Sequence, residues 1–444
     1  MEKRTKKKGG FLKSAFIIAG GGFAAKLIGA VYRVPLTNFI GSEGIGLYQM
    51  AFPFYCLLLT VSATGIPSSI ASLTAERAAG GDDGRALLKT AMKLFLFIGG
   101  LGALLMAFIA PGLAHAQGEL SLTDGYRAIA PAVLLVSAIS VFRGYFQGHN
   151  KMSPTAVSEI IEQLVKVSAG LVFAYLHRGN PQRAVTWLLF AVSLSEGAAL
   201  LFLVWKFRKV ARWQTMENDG GRVAIKGILK RSLPVTLSSG LIPLSGLLDS
   251  ILAVRMMSRY AENAVSLYGL FSGGAVTIIN LPVSICYGLA AASIPAVAGE
   301  QGNEKRRRNK VLFALLVTLA VSIPCAVVLY VFSPNIVRGL FRSFQAEEKE
   351  ITARLVKLFS ISAVTLSCTQ TLSACLTAQG KPMRAVCSMT VGILVKTALE
   401  LALLPNEQLS IAGLAIATNV CYAVSFALNL FLNVWRINKK KDTA

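Results

Sequence analysis

Residues 87–110 read LLKTAMKLFLFIGGLGALLMAFIA, and no charged residue follows Lys93 within the stretch. About 20 consecutive apolar residues, wound as a helix, cross the roughly 30 Å hydrocarbon core of a bilayer. The pattern recurs along the chain. Windows of low charge bounded by Lys/Arg, Gly or Pro predict twelve helices, at 12–36, 45–73, 87–110, 126–147, 154–177, 184–206, 227–256, 264–297, 311–334, 352–378, 383–404 and 409–435. Alternating segments of barrel type are absent, and only helices or closed barrels satisfy their backbone groups in lipid. The expected fold is therefore an all-α polytopic membrane protein of about twelve transmembrane helices.

Composition agrees. Of 444 residues, 54% are hydrophobic and 15% charged, with a mean hydropathy of +0.58, where soluble domains carry about 25% charged residues. That excludes a soluble globular protein. The net charge of +23 would suggest nucleic acid on a soluble fold, but here the cations lie mainly between apolar stretches, so no nucleic-acid partner is expected. The opening MEKRTKKKGG precedes an apolar run that continues through Lys26 and Arg33 without an A-x-A cleavage site, which reads as a retained first span. All seven cysteines fall in apolar stretches without a CxxC pair and read as small core residues.

Loop charges set the orientation. With both termini in the cytoplasm, that side holds 29 cations, the opposite loops 9, and the spans the remaining 7. The positive-inside rule favours this arrangement, and an odd span count would break it.

The two halves echo each other. Leu47-Tyr48 recurs as Leu267-Tyr268, Gln147-Gly148 as Gln379-Gly380, and Leu164-Val165-Lys166 as Leu394-Val395-Lys396, at offsets of about 220 to 232 residues. Six spans per repeat is an even number, so the repeats should share one orientation. The expected organisation is a six-helix bundle at 1–206, a basic cytoplasmic linker at 207–226 and a second six-helix bundle at 227–444.

No catalytic machinery is visible. The chain has no G-x-x-x-x-G-K-[ST] loop, no G-x-G-x-x-G and no H-E-x-x-H, and His115, His149 and His177 are scattered at span ends. No catalytic residue, cofactor or metal is expected. The informative residues are ionisable side chains at lipid depth, each costing about 2.5–3.5 kcal/mol unless it faces a cavity or a partner. Glu159, Glu162, Gln163 and Lys166 fall at i, i+3, i+4 and i+7, on one face of the fifth span. That face cannot look at lipid. It is either a staple built on Glu162 and Lys166 or the wall of a hydrated cavity. Lys26 and Arg33 share a face of the first span after Gly20-Gly21-Gly22 and suit a hinged helix that holds an anion. Arg143 is placed to line the cytoplasmic mouth, or to snorkel towards it. Asp249, in the seventh span, is a candidate ion-coupling site or the partner of a cation such as Lys26. Lys396 and Glu400, one turn apart, read as a pair, and Glu196 receives no role. Prolines interrupt the second and eighth spans at corresponding places (Pro53 and Pro67; Pro282 and Pro295), and Pro234 and Pro243 mark the seventh. The backbone groups they free need water or side chains, which points to alternating access.

The stretch AVYRVPLTNFIGSEGIGLYQMAFPFYCLLLTVSATGIPSSIASL at 30–73 and RGYFQGHNKMSPTAVSEIIEQLVKV from Arg143 resemble the stage V sporulation protein B group. That group belongs to the multidrug/oligosaccharidyl-lipid/polysaccharide (MOP) exporter superfamily, which includes the lipid II flippases. The resemblance implies a V-shaped pair of bundles like those of MATE transporters, in the plasma membrane of a spore-forming bacterium. It implies an undecaprenyl-pyrophosphate-type lipid-linked saccharide as substrate, with cell-wall or cortex synthesis proteins and membrane lipids as partners. Lipid II flippases are similar in carrying cations on the first, second and eighth helices. Here the first helix offers Lys26 and Arg33, while the second and eighth carry none, and twelve spans stand where many relatives have fourteen. Two other readings remain: an ion-coupled drug or metabolite antiporter relying on Asp249, Glu159 and Glu162, and a membrane scaffold without transport.

Overall fold

The computed structural model describes residues 2–60, 65–211, 240–299 and 303–434, without the side chains of 2–27, 30, 210–211, 287 and 289–296. Every element of the described residues is a helix. The first half contains α1 (Glu2–Leu59), α2 (Ile66–Ala79), α3 (Arg85–Ala116), α4 (Leu122–Gly148), α5 (Ser153–Leu176) and α6 (Pro181–Ala211). The second contains α7 (Leu241–Met257), α8 (Ala264–Gly269), α9 (Val276–Ala298), α10 (Glu304–Leu340), α11 (Ala346–Ala378), α12 (Pro382–Leu403) and α13 (Ile411–Val434). Eight helices among the described residues are long and apolar enough to cross a membrane. The chain is a multi-pass membrane protein.

Local chemistry explains where helices stop. Gly41 breaks α1 with φ 70° and ψ −172°, a backbone that favours glycine. The turn at residues 80–84 is held by Arg77–Asp82 and Arg85–Asp83 ion pairs, each 2.8 Å, and by the Gly84 and Arg85 N–H groups donating to Asp82 and Asp83. Asn303 caps α10 by accepting from the Arg306 N–H, and Gln345 with Glu348 forms a capping box on α11. Prolines stand in the first turns of α5 and α12, where a missing N–H costs nothing.

Two sequence expectations shift. Of the expected span at 45–73, the described part falls in α1, which ends at Leu59, and α2, which starts at Ile66, while residues 61–64 lie outside the described residues. In the eighth span the irregularity is a π-helical turn at Leu270–Ala275, not Pro282, which α9 accommodates within a continuous helix. All six residues of that turn are buried, so protein packing, not lipid, surrounds the distorted backbone.

The chain divides into two compact units. Unit 1 comprises residues 1–32 and 50–244, unit 2 residues 33–49 and 245–444. The segment 33–49 is thus shared out differently from the sequence division at 206 and 227. Its attachments explain why: Asn38 donates to the Leu340 carbonyl at 2.7 Å, Gln49 to the Ser272 carbonyl at 2.9 Å, and Ser42 meets both Ser266 and Glu348. Residues 207–211 of the expected linker continue α6. From residue 212 on, that linker lies outside the described residues.

In unit 1, α4 is the central helix, packed by α2, α3 and α6. Of its most apolar window 78% is buried, against 22% for α3. α3 and α10 are the two most apolar helices and the least buried, with Phe108 and Phe313 exposed. This inverts the rule for water-soluble domains and fits a lipid-facing surface. Association without a hydrophobic driving force relies on close contact of small residues. A Cβ added to Gly144 would lie 2.8 Å from the Pro67 carbonyl oxygen, and one on Gly392 would lie 2.7 Å from that of Cys421.

Candidate functional site

The polar stripe of α5 is real, and it gathers partners that sequence spacing does not specify. α4 and α6 flank α5. Arg143 of α4 donates from Nη2 to Glu162 Oε2 at 3.1 Å and from Nε to Ser158 Oγ at 3.0 Å. On the other side of the same carboxylate, Gln163 donates to Oε1 at 3.2 Å and Lys166 Nζ lies 3.9 Å from it. Glu162 is therefore clamped between two cations. The Arg143, Glu162 and Lys166 side chains keep 15%, 15% and 19% of their surface, so the cluster is sheltered but not fully buried. Glu159 lies half-buried on the same face. α1 lies against α5 nearby: a Cβ on Gly29 would be 3.4 Å from Gln163 Oε1, and one on Gly170 would be 2.1 Å from the Tyr32 hydroxyl.

Unit 2 holds a second cluster. Lys396 Nζ is 2.5 Å from Asp249 Oδ2, 3.5 Å from Ser245 Oγ and 3.6 Å from Glu400 Oε1. Lys396 is 6% exposed and Glu400 not at all, and neither Glu400 oxygen finds a hydrogen-bond donor. The pairing of Lys396 with Glu400 follows the sequence reading. The cation beside Asp249 is Lys396 of α12, whereas the sequence suggested Lys26.

The Lys26 side chain lies outside the described residues, and Arg33 is half-buried in the segment that packs with unit 2. Sequence reasoning missed Ser158, Ser245 and Glu196. Glu196 is buried, and the signal that could have found it was present: a lone carboxylate in the middle of a lipid-depth helix demands a partner. Among the described residues, no group of three or more His, Cys, Asp or Glu side chains is arranged to hold a metal ion.

Residues 11–301 match the family described as polysaccharide biosynthesis protein. The chain belongs to that family. Residues 234–401 match the MatE family in addition. Among curated relatives, the stage V sporulation protein B of Bacillus subtilis (strain 168) is 30% identical, with 92% of this chain and 80% of that protein covered. The lipid II flippase MurJ of the same organism is 24% identical over 93% of this chain and 80% of its own length. A solved multidrug resistance MATE family transporter of the MOP superfamily superposes with a TM-score of 0.80 at 17% identity, covering 95% of this chain and 96% of that one. At that identity the likeness shows the fold: the polysaccharide biosynthesis family member described here has a MATE-like helical architecture.

Proposed function

We propose that this chain is a flippase moving a lipid-linked saccharide of the undecaprenyl-pyrophosphate type from the cytoplasmic to the outer leaflet by alternating access. The product would feed cell-wall or spore-cortex synthesis. The observation that carries the reading is the α5 cluster, where Arg143 and Lys166 converge at membrane depth on one partly exposed carboxylate, in a chain of the polysaccharide biosynthesis family. Charge-assisted bonds from a guanidinium fork and an ammonium suit a phosphorylated headgroup, which would compete with Glu162 for the two cations. Lys26 and Arg33 are assigned to the same headgroup during entry, and Glu159 and Gln163 to the saccharide's polar atoms. Both termini are placed in the cytoplasm by the loop charges, which makes Arg143 part of the inner mouth. An unaccompanied anion leaving an inside-negative cell gains about 2.3 kcal/mol per charge per 100 mV, so the step needs no ATP.

The test is transport of a lipid-linked saccharide in proteoliposomes by the wild type, Lys26→Ala and Arg143→Ala. Loss of transport in the variants is expected. Full activity in both, or no transport by the wild type, would defeat the reading. A second reading, an ion-coupled antiporter, draws on one observation: the segment matching the MatE family, 234–401, contains Asp249, Lys396 and Glu400, a cluster with more acids than cations. Efflux of a cationic drug that disappears in Asp249→Asn would favour it.

A further inference from the structure

One buried carboxylate of unit 1 takes no part in the clamp around Glu162. Glu196 is 5% exposed. Its Oε1 is reached by the Tyr55 hydroxyl only at 3.5 Å, and its Oε2 has no hydrogen-bond partner. α6 packs against both α4 and α5. The charges that act on Glu196 are those of Glu162 and Lys166 from α5 and of Arg143 from α4, while Tyr55 faces it from α1. Two cations and two carboxylates balance there, and Glu159, half-buried on the same face of α5, adds a further acid.

We infer that binding of a phosphate-bearing anion to Arg143 and Lys166 is coupled to uptake of one proton by Glu196. The inference rests on the anion-site reading above and adds to it a regulating partner. A diphosphate competes with Glu162 for the same two cations. Once it binds, two positive charges face two carboxylates and at least two further negative charges in a medium that screens them poorly. A proton from water relieves that excess, and geometry selects where it goes. Both oxygens of Glu162 are already engaged, accepting hydrogen bonds from Arg143 and Gln163. Glu196 has one oxygen with nothing to stabilise its charge, and protonation there removes a buried charge without breaking the Tyr55 contact on Oε1. The proton thus accompanies the anion into the site, and affinity falls as pH rises.

Calorimetric titration of inorganic pyrophosphate into the detergent-solubilised full chain, in buffers of different ionisation enthalpy, counts the protons taken up. Wild type should take up about one more proton per pyrophosphate than Glu196→Gln at neutral pH, and the variant, which mimics the protonated acid, should bind a few-fold tighter at high pH. Equal proton counts in the two proteins overturn the coupling. Should Glu196→Gln fail to fold, Glu196→Asp keeps a titrating group and must retain the uptake, and a wild-type proton count no larger than the probe's own ionisation explains overturns the coupling alone. Absence of pyrophosphate binding to wild type, or binding unaffected by Arg143→Ala, overturns the anion site itself and the coupling with it.

Discussion

Lys166 and Lys396 occupy equivalent places in the repeated sequence Leu-Val-Lys, each on the helix that follows a proline in its first turn. Their surroundings are opposite. In unit 1 the carboxylate lies one turn before the lysine, and the neighbouring helix adds a second cation, Arg143. In unit 2 the carboxylate lies one turn after it, and the neighbouring helix adds a second acid, Asp249. The first cluster's side chains keep 15–19% of their surface, whereas in the second Lys396 keeps 6% and Glu400 none, with Asp249 at 16%. The same tripeptide thus sits in a cluster with two cations in one unit and in a cluster with two acids in the other.

Variants can break or sharpen that contrast. The largest effect is expected for Lys396→Ala, which leaves the buried Glu400 and the half-buried Asp249 without their counter-ion and should cost about 3–5 kcal/mol. A drop in the midpoint of thermal unfolding in detergent measures it. If the variant unfolds like wild type, the second cluster is wetter than its burial indicates. Arg143→Ala removes a charge-assisted bond from the more open cluster. It should weaken pyrophosphate binding about ten- to a hundredfold, corresponding to about 1.5–3 kcal/mol, with a smaller loss of thermal stability than Lys396→Ala shows. Reversal of that order would erase the distinction between the two sites.

The helix seams next to the clusters give a third comparison. Gly170→Ala would press on the Tyr32 hydroxyl, and Gly392→Ala on the Cys421 carbonyl and the Ser425 hydroxyl. Each overpacking should cost about 1–3 kcal/mol. Adding Tyr32→Phe should restore most of the first loss, because the obstructing atom is then gone, while no side-chain change relieves a backbone carbonyl. Equal recovery of melting temperature in Gly392→Ala with Ser425→Ala would contradict this. The smallest effect is expected for Glu350→Ala. Its ion pair with Arg354 joins side chains that are 75% and 79% exposed, and such pairs contribute less than about 1 kcal/mol. A larger shift in unfolding midpoint would show that this end of α11 is buried in some further contact.

Much of the fold was legible because lipid imposes its demand locally. Each window of about twenty residues must satisfy its own backbone and shed its charge, so the helices from α3 to α6 and from α8 to α13 lie close to where hydropathy placed them. The misreadings have particular causes. Residues 45–73 carry no charge, so hydropathy reads one span where α1 ends at Leu59 and α2 starts at Ile66. The π turn at 270–275 carries no proline, so the prolines downstream drew attention away from it. The attachment of 33–49 to unit 2 depends on Asn38, Ser42 and Gln49 finding carbonyls and hydroxyls far along the chain.

The sequence by itself determined the membrane class, the all-helical architecture, the face shared by Glu159, Glu162, Gln163 and Lys166, and the Lys396–Glu400 pair. All of these follow from hydropathy and the 3.6-residue period within single helices. Tertiary structure alone decided that Arg143 clasps Glu162 from another helix, that Asp249 belongs to Lys396, 147 residues away, and that Glu196 stands unsatisfied beside the first cluster. A helix's own period fixes which residues share a face. Which foreign face it meets depends on the rotation and depth at which neighbouring helices pack, and small residues spread over the whole bundle set those.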